Sequence, residues 1–169
     1  SVEDKPDMWR KPYMEDFLYG LTQAFTSLNL VDPNKVFLTG YSAGGDGVYH
    51  MAPRMADHFA SAAMMAGHPN NVDLHNIRNL PFAIQVGGKD TPYNRNVLAQ
   101  KYIDIIDDYR DEYGGFEQNS QVRPNKPHWM DFEEKEIFPW LFEKERNPYP
   151  DFVLFNEHPD RQKHHLYYV

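Results

Sequence analysis

Short apolar runs alternate with longer helical patterns along this chain, and that alternation constrains the fold more than any other feature. Three runs are apolar or small enough to form buried strands: Val36–Thr39, Ala60–Ala66 and Phe82–Val86. Around them, apolar residues recur every three or four positions, which predicts helices over 12–29, 44–59, 96–113 and 133–145. We therefore predict an α/β fold, in which a parallel sheet carries helices on both faces.

The remaining segments give weaker patterns. Residues 116–122 favour a weak strand, and Phe152–Phe155 and Leu166–Val169 favour a closing pair of strands. Pro53 predicts a kink or an early end within the second helix. Because neither an internal repeat nor a linker interrupts the chain, we predict a single domain over residues 1–169.

Composition excludes several classes of function. The chain has 17 Lys and Arg against 25 Asp and Glu, a net charge of −8, with no basic run. We therefore expect neither non-specific nucleic-acid binding nor attachment to an anionic membrane surface. No apolar run approaches the roughly 20 residues that cross a bilayer. The absence of cysteine excludes disulfides, thiolate zinc sites and cysteine nucleophiles, and it leaves the cellular compartment open.

Residues 40–44, with the sequence GYSAG, match the G-x-S-x-G pattern between a predicted strand and a predicted helix. In this pattern a serine occupies a sharp, strained turn that exposes its hydroxyl. We expect Gly40 and Gly44 to leave room where side chains would collide with neighbouring elements, and Gly45 extends the motif. The predicted helix begins just after Ser42, and the positive end of its dipole would stabilise a developing oxyanion. Ser42 is the candidate nucleophile, and an ordinary helix N-cap is the alternative.

A serine nucleophile needs a base that a carboxylate holds in place. When the serine lies in a G-x-S-x-G turn between a strand and a helix, the expected chain order is serine, acid, histidine. Asp90 lies in the loop after the predicted strand Phe82–Val86, and His128 lies in a loop before the last long helix. Both positions are at strand–loop junctions, where sheets of this class bind ligands. Asp90 could instead be a turn aspartate, and His158 is the second candidate for the base.

Four other side chains are candidates for a substrate pocket: Tyr41, His68, Tyr93 and Trp129. His68 is the strongest of them because it directly follows a predicted strand. Large aromatic side chains more often pack in a core or on a surface, and that alternative stays open. We expect no metal, since the histidines near the carboxyl end have no carboxylate at a useful spacing.

The segment VDPNKVFLTGYSAGG over residues 31–45, the loop Gly87–Asp90 and the pair His128-Trp129 resemble the α/β-hydrolase superfamily. More narrowly, the chain is similar to an esterase group that includes poly(3-hydroxybutyrate) depolymerase-like and feruloyl-esterase-like enzymes, with prolyl-oligopeptidase-like peptidases as relatives. The resemblance extends from about residue 12 to residue 145. It implies a triad of Ser42, Asp90 and His128, with the N–H of Ala43 in the oxyanion hole.

This resemblance implies a serine hydrolase that cleaves small-molecule or polymer esters through an acyl-enzyme, with no cofactor. Two alternatives remain: a serine peptidase with the same triad, and a non-catalytic fragment that binds a partner. The sequence does not separate an esterase from a peptidase.

The resemblance also implies earlier strands and an early loop that donates a second N–H to the oxyanion. Only 35 residues precede Val36, and the chain contains no His-Gly-Gly-like segment. We therefore expect residues 1–169 to be the carboxyl-terminal part of a longer catalytic domain. The strand before Ser42 would then lie at an exposed sheet edge, which a second chain segment or a second copy of the chain would cover.

Overall fold

The computed structural model describes residues 8–9, 11–157 and 165–168. Four parallel strands form one sheet in the order β1-β2-β3-β4, namely β1 (Phe37–Tyr41), β2 (Ser61–Met65), β3 (Phe82–Gly87) and β4 (Gln121–Arg123). The α-helices are α1 (Pro12–Ser27), α2 (Ala43–Arg54), α3 (Arg95–Tyr113) and α4 (Phe138–Glu143). Single 3₁₀ turns span Ala56–His58, His75–Ile77, Pro92–Asn94 and Glu133–Ile137. The predicted parallel α/β architecture is confirmed.

The two faces of the sheet bury different sets of side chains. Met64 of β2 and Ile84 of β3 join the larger apolar cluster, to which α2 and α3 contribute. Ala63 and Ala83, on the opposite face of the same strands, pack with Leu141 of α4. Since successive side chains of a strand point to opposite faces, helices on both sides bury β2 and β3 completely.

Proline positions explain two differences from the predicted helices. The pattern over 44–59 ends as an α-helix at Arg54, directly after Pro53, and a 3₁₀ turn follows. The pattern over 133–145 begins as a 3₁₀ turn and becomes α-helical only at Phe138. Pro139 has no N–H to continue an earlier helix, but it suits a first helical turn.

The predicted closing strands are wrong. Residues 152–157 have no strand structure, residues 166–168 form a bend and turn, and Val169 lies outside the described residues. The carbonyl of Phe152 accepts hydrogen bonds from the side chains of Arg78 and Asn79 rather than from a neighbouring strand. The apolar pattern there reflects packing against the larger core cluster, not strand pairing.

Strand β1 lies at one end of the sheet, and among the described residues it pairs only with β2. Helix α1, which precedes it, is attached to α2 by a buried ion pair between Glu15 and Arg54, with N and O atoms 3.3 Å apart. Another face of α1, together with the residue that caps its carboxyl end, carries apolar side chains that are 45–68% exposed: Phe17, Leu21, Phe25 and the capping residue Leu28. In the described parts of the chain, no helix has both the length and the apolar character that a membrane span requires.

The turn between β1 and α2 brings backbone into close contact with β2. Ser42 has φ 54° and ψ −119°, and its N–H donates to the carbonyl of Met65 at 2.9 Å. A Cβ on Gly45 would lie 2.5 Å from that same carbonyl oxygen, and a Cβ on Gly40 would lie 2.1 Å from the oxygen of Gly44. A Cβ on Gly44 itself would meet no described atom within 4 Å. The expectation that Gly44 leaves room is therefore wrong, and the crowded positions are 40 and 45.

Replacement of Gly45 by alanine should lower the free energy of unfolding by about 1–3 kcal/mol, because backbone atoms of β2 cannot move aside. The matched variant Gly44→Ala should be neutral or stabilising by up to about 1 kcal/mol, since alanine favours a helix. Urea unfolding of both variants measures the difference. Equal stability of the two variants would contradict this account of the turn.

Tyr49 of α2 is fully buried, and burial raises the pKa of its hydroxyl well above the ordinary value of 10. The neutral form is favoured in the folded state, so this group stabilises the fold below about pH 10 and loses that contribution as pH rises further. At about pH 11 the loss is on the order of 1 kcal/mol. We expect Tyr49→Phe to reduce the alkaline loss of stability by that amount.

Urea unfolding at about pH 8 and about pH 11 measures this loss for the wild type and the variant. Leu141→Ala is the control, because it removes core contacts on the opposite face of the sheet from Tyr49 and should lower stability equally at both pH values. An alkaline loss in Tyr49→Phe as large as that in the wild type would refute the role of Tyr49.

Candidate active site

Three side chains from separate parts of the chain meet at the carboxyl edge of the sheet. The Nε2 atom of His128 lies 3.0 Å from the hydroxyl oxygen of Ser42, and its Nδ1 lies 2.7 Å from a carboxylate oxygen of Asp90. Both distances are within hydrogen-bonding range. The structure thus brings together the predicted nucleophile, base and acid in a continuous hydrogen-bonded chain. The second candidate for the base, His158, lies outside the described residues.

Ser42 is held in a conformation that serines rarely adopt. Its positive φ places it in the left-handed region, which costs a non-glycine residue about 1–3 kcal/mol. Although Ser42 immediately precedes α2, its side chain makes no helix-capping hydrogen bond and instead contacts His128. Ala43 is the first residue of that helix, a position whose N–H has no carbonyl partner within a helix. The turn therefore exposes the hydroxyl of Ser42 close to the N–H of Ala43, which has no partner within the helix.

Asp90 is completely buried, whereas the side chain of His128 is 38% exposed. The second carboxylate oxygen of Asp90 lies 3.6 Å from a guanidinium nitrogen of Arg95, the first residue of α3. The guanidinium also lies over the ring of Tyr93, 4.9 Å from its centre. Sequence analysis missed Arg95, although an arginine five residues after a candidate acid, at the start of a helix, was a usable signal.

Glycines bring the acid-bearing and base-bearing loops into direct backbone contact. The N–H of Lys89 donates to the carbonyl of Lys126 at 2.8 Å, and the N–H of Gly88 donates to that of Arg123. A Cβ on Gly87 would lie only 2.2 Å from the carbonyl oxygen of Pro127. The loops could not approach this closely if position 87 carried a side chain, so the glycine pair before Asp90 helps to place His128.

Ion pairs at both ends fix the loop that carries His128. Arg123 donates to the carbonyl of Glu133 at 3.0 Å and pairs with the carboxylate of Glu136 at 3.2 Å. Lys126 pairs with Asp131 at 3.0 Å and with Glu133 at 2.6 Å. The hydrogen bonds to these two carboxylates raise the pKa of Lys126.

The hydroxyl of Tyr41 also reaches this loop. It donates to the carbonyl of His128 and accepts the N–H of Met130 at 3.3 Å. Burial is the largest cause of the raised pKa of Tyr41, so the hydroxyl stays protonated and able to donate in the alkaline range. The substrate-binding role that we predicted for Tyr41 stays a prediction, and the structure adds a contact that sequence analysis missed.

Two other pocket candidates, Trp129 and His68, lie in the loops that follow β4 and β2. Trp129 is 49% exposed, and its ring centre lies 5.8 Å from that of Tyr41 and 4.7 Å from that of Phe132. Phe132 is exposed and has a positive φ, an uncommon conformation for a bulky residue. Trp129 and Phe132 thus form an exposed aromatic pair beside His128, of which sequence analysis identified only the tryptophan.

His68 follows β2, and its described bonds connect it to its own loop. Its Nδ1 contacts the side-chain oxygen of Asn70 at 2.9 Å, and its N–H donates to the carboxylate of Asp46 at 2.6 Å. Burial is the main cause of the raised pKa of Asp46, and the N–H of His68 partly opposes that shift. None of the described hydrogen bonds joins His68 to the triad, and its predicted substrate-binding role stays a prediction.

Over the described ranges, no three His, Cys, Asp or Glu side chains cluster as metal ligands.

Solved structures with a similar fold include a thermostable esterase, the carboxylesterase of Bacillus cereus and a carboxylesterase from Mesorhizobium loti. Their TM-scores are 0.54, 0.60 and 0.58, at 23%, 13% and 17% sequence identity. The matches cover 78%, 78% and 75% of this chain, but only 37%, 60% and 58% of those proteins. The chain therefore has part of an α/β-hydrolase fold.

No curated protein matches the sequence. The prolyl oligopeptidase family (peptidase S9) matches residues 7–119, which is more than half of the chain and includes Ser42 and Asp90. The narrower resemblance to depolymerase-like and feruloyl-esterase-like enzymes stays a prediction. The chain belongs to the prolyl oligopeptidase family of the α/β-hydrolase superfamily.

Proposed function

We propose that this chain carries the catalytic triad of a serine hydrolase that cleaves carboxylic esters. One observation carries the proposal: the hydrogen-bonded sequence from Ser42 through His128 to the buried Asp90, at a strained turn before a helix. The esterase and carboxylesterase names of the three similar structures favour an ester as the substrate. The family's name favours a peptide as the competing substrate class.

The geometry supports a two-stage mechanism. His128 takes the proton of Ser42 through Nε2, and the serine oxygen attacks the ester carbonyl to form a tetrahedral oxyanion. The N–H of Ala43 is one donor to that oxyanion. The intermediate then collapses to an acyl-enzyme, and His128 gives its proton to the departing alcohol.

In the second stage, His128 takes a proton from water, and the resulting nucleophile attacks the acyl carbon. Collapse of this intermediate releases the acid and returns the proton to Ser42. The carboxylate of Asp90 keeps a proton on Nδ1, so that Nε2 is the free acceptor, and it stabilises the imidazolium. Every step is a proton transfer or an acyl transfer, so the scheme balances without a cofactor.

Replacement of Ser42 by alanine should lower hydrolysis of p-nitrophenyl butyrate by at least about 10³-fold, because no other group replaces the nucleophile. It should also abolish labelling by a fluorophosphonate probe, with the label mapped to residue 42 by mass spectrometry. Ser27→Ala, at the exposed end of α1, is the matched control and should change neither result.

The matched p-nitroanilide of butyric acid distinguishes the two substrate classes in the same assay. The proposal expects a kcat/KM for the ester that exceeds that for the amide. Undiminished ester turnover in Ser42→Ala would reject the nucleophile, and a preference for the amide would reject the ester assignment in favour of a peptidase.

We further propose that an upstream portion of the same catalytic domain covers the free edge of β1 and the apolar stripe of α1. Strand β1 pairs on one side only among the described residues, and an unpaired strand edge readily recruits another strand. Four exposed apolar residues on α1 form a contiguous stripe, which is typical of a protein interface. The chain spans only 37–60% of the similar structures, which leaves room for such a portion.

Co-production of this chain with the upstream portion of its gene tests the interface. Light scattering should find a one-to-one complex, and Phe25→Glu should weaken it by placing a charge in the apolar stripe. Val97→Glu is the matched control, because it makes the same kind of change on the exposed face of α3 and should leave the complex intact.

Three outcomes would contradict the proposed interface. One is a chain that stays a stable monomer and binds no upstream portion. Another is a complex that Phe25→Glu does not affect. The third is a homodimer that Phe25→Glu dissociates, because that result assigns the surface to a second copy of the chain.

A further inference from the structure

The residue before the nucleophile holds the backbone of the base. Tyr41 is the last residue of β1, and its hydroxyl contacts the carbonyl of His128 and the N–H of Met130. These two backbone groups flank Trp129, so one hydroxyl fixes the backbone on both sides of that residue. Met130 is completely buried. A buried N–H that loses its acceptor is costly, and this contact therefore restrains the loop strongly.

The restraint acts where the loop has little regular structure. Between Arg123, which ends β4, and Glu133 the chain forms no helix or strand, and both Asp131 and Phe132 have positive φ. Ion pairs of Arg123 and Lys126 hold the two ends of this segment. The hydroxyl of Tyr41 holds the central part, next to the imidazole that must face Ser42.

We propose that Tyr41 is a positioning residue, which couples the turn of the nucleophile to the loop of the base. The inference rests on the proposed function, because it assigns His128 the role of base. The nitrogen–oxygen distance between His128 and Ser42 is 3.0 Å, so a small loop shift would interrupt proton transfer. Misplacement of a catalytic group by about 1 Å can cost about 10²-fold in rate.

This role differs from the substrate-binding role that the sequence predicts for the same residue. A substrate contact that persists from the ground state to the transition state changes KM and leaves kcat unchanged. A positioning contact acts on the proton transfer, so its loss lowers kcat and the rate of acylation while KM changes little. Loss of the hydroxyl would therefore change mainly kcat if Tyr41 is a positioning residue, and mainly KM if it binds substrate.

The substitution Tyr41→Phe tests the role, because it keeps the ring and removes only the hydroxyl. We expect kcat for p-nitrophenyl butyrate and the rate of fluorophosphonate labelling to fall about 10- to 100-fold, with KM within about twofold. Tyr149→Phe makes the same chemical change at an exposed position and should alter neither value. An unchanged kcat, or a rise in KM alone, would overturn the proposal.

Amide hydrogen exchange of the wild type gives a readout that depends neither on activity nor on the folding of a variant. In the wild-type protein the N–H of Met130 should exchange slowly although it lies in an irregular loop, and in Tyr41→Phe it should exchange faster. Rapid exchange in the wild type would overturn the proposal. A wild type that hydrolyses no ester but protects Met130 would reject the proposed function and leave the Tyr41 contact in place.

Discussion

The close approach of α2 to β2 is the constraint on which the rest of the site depends. The N–H of Ser42 donates to the carbonyl of Met65, and the glycines at 45 and 67 remove the side chains that would separate the two backbones. A serine forced into a positive φ by this contact cannot cap the helix that follows it. Its hydroxyl is therefore free to face the loops at the carboxyl edge of the sheet.

A second close approach places the other two members of the triad. The strand order sets β3 beside β4, so the loops that follow them are neighbours, and Gly87 lets their backbones touch. Asp90 and His128 thus depend on one local contact between two loops. The turn at Ser42 depends on a different contact, the one between α2 and β2. The hydroxyl of Tyr41 connects this turn directly to the loop of His128 through hydrogen bonds. The proposed triad therefore combines two separately held parts of the chain, and its geometry depends on the contact of Tyr41 that joins them.

Sequence reasoning was most successful where backbone geometry demands particular residues. The strand before Ser42 and the crowded glycines at positions 40 and 45 gave signals that depend on the local sequence. The order of Ser42, Asp90 and His128 follows the chain order expected of a triad, and their catalytic roles stay predictions. The closing strands failed because an apolar run reports burial and not hydrogen-bond partners, and Phe152 bonds to side chains instead of a strand. The contact of Tyr41 with the loop of His128 is distant in sequence and depends on how the loops meet after folding, so no local pattern encodes it.

Strand β1 carries the turn of Ser42 and also lies at the end of the sheet, so whatever pairs with its open side would lie next to the site. Asp90 and His128 follow β3 and β4, so both reach Ser42 from the same side of β1. The opposite side of β1 has no strand partner among the described residues. A tetrahedral oxyanion needs a donor besides Ala43, and an ester needs walls for its acyl and alcohol groups. Under the proposed interface, a segment paired with the open side of β1 would complete the sheet and would lie where it could supply both. The proposed proton-transfer chain from Ser42 to Asp90 lies within the described residues, whereas specificity would depend on the segment proposed to cover β1.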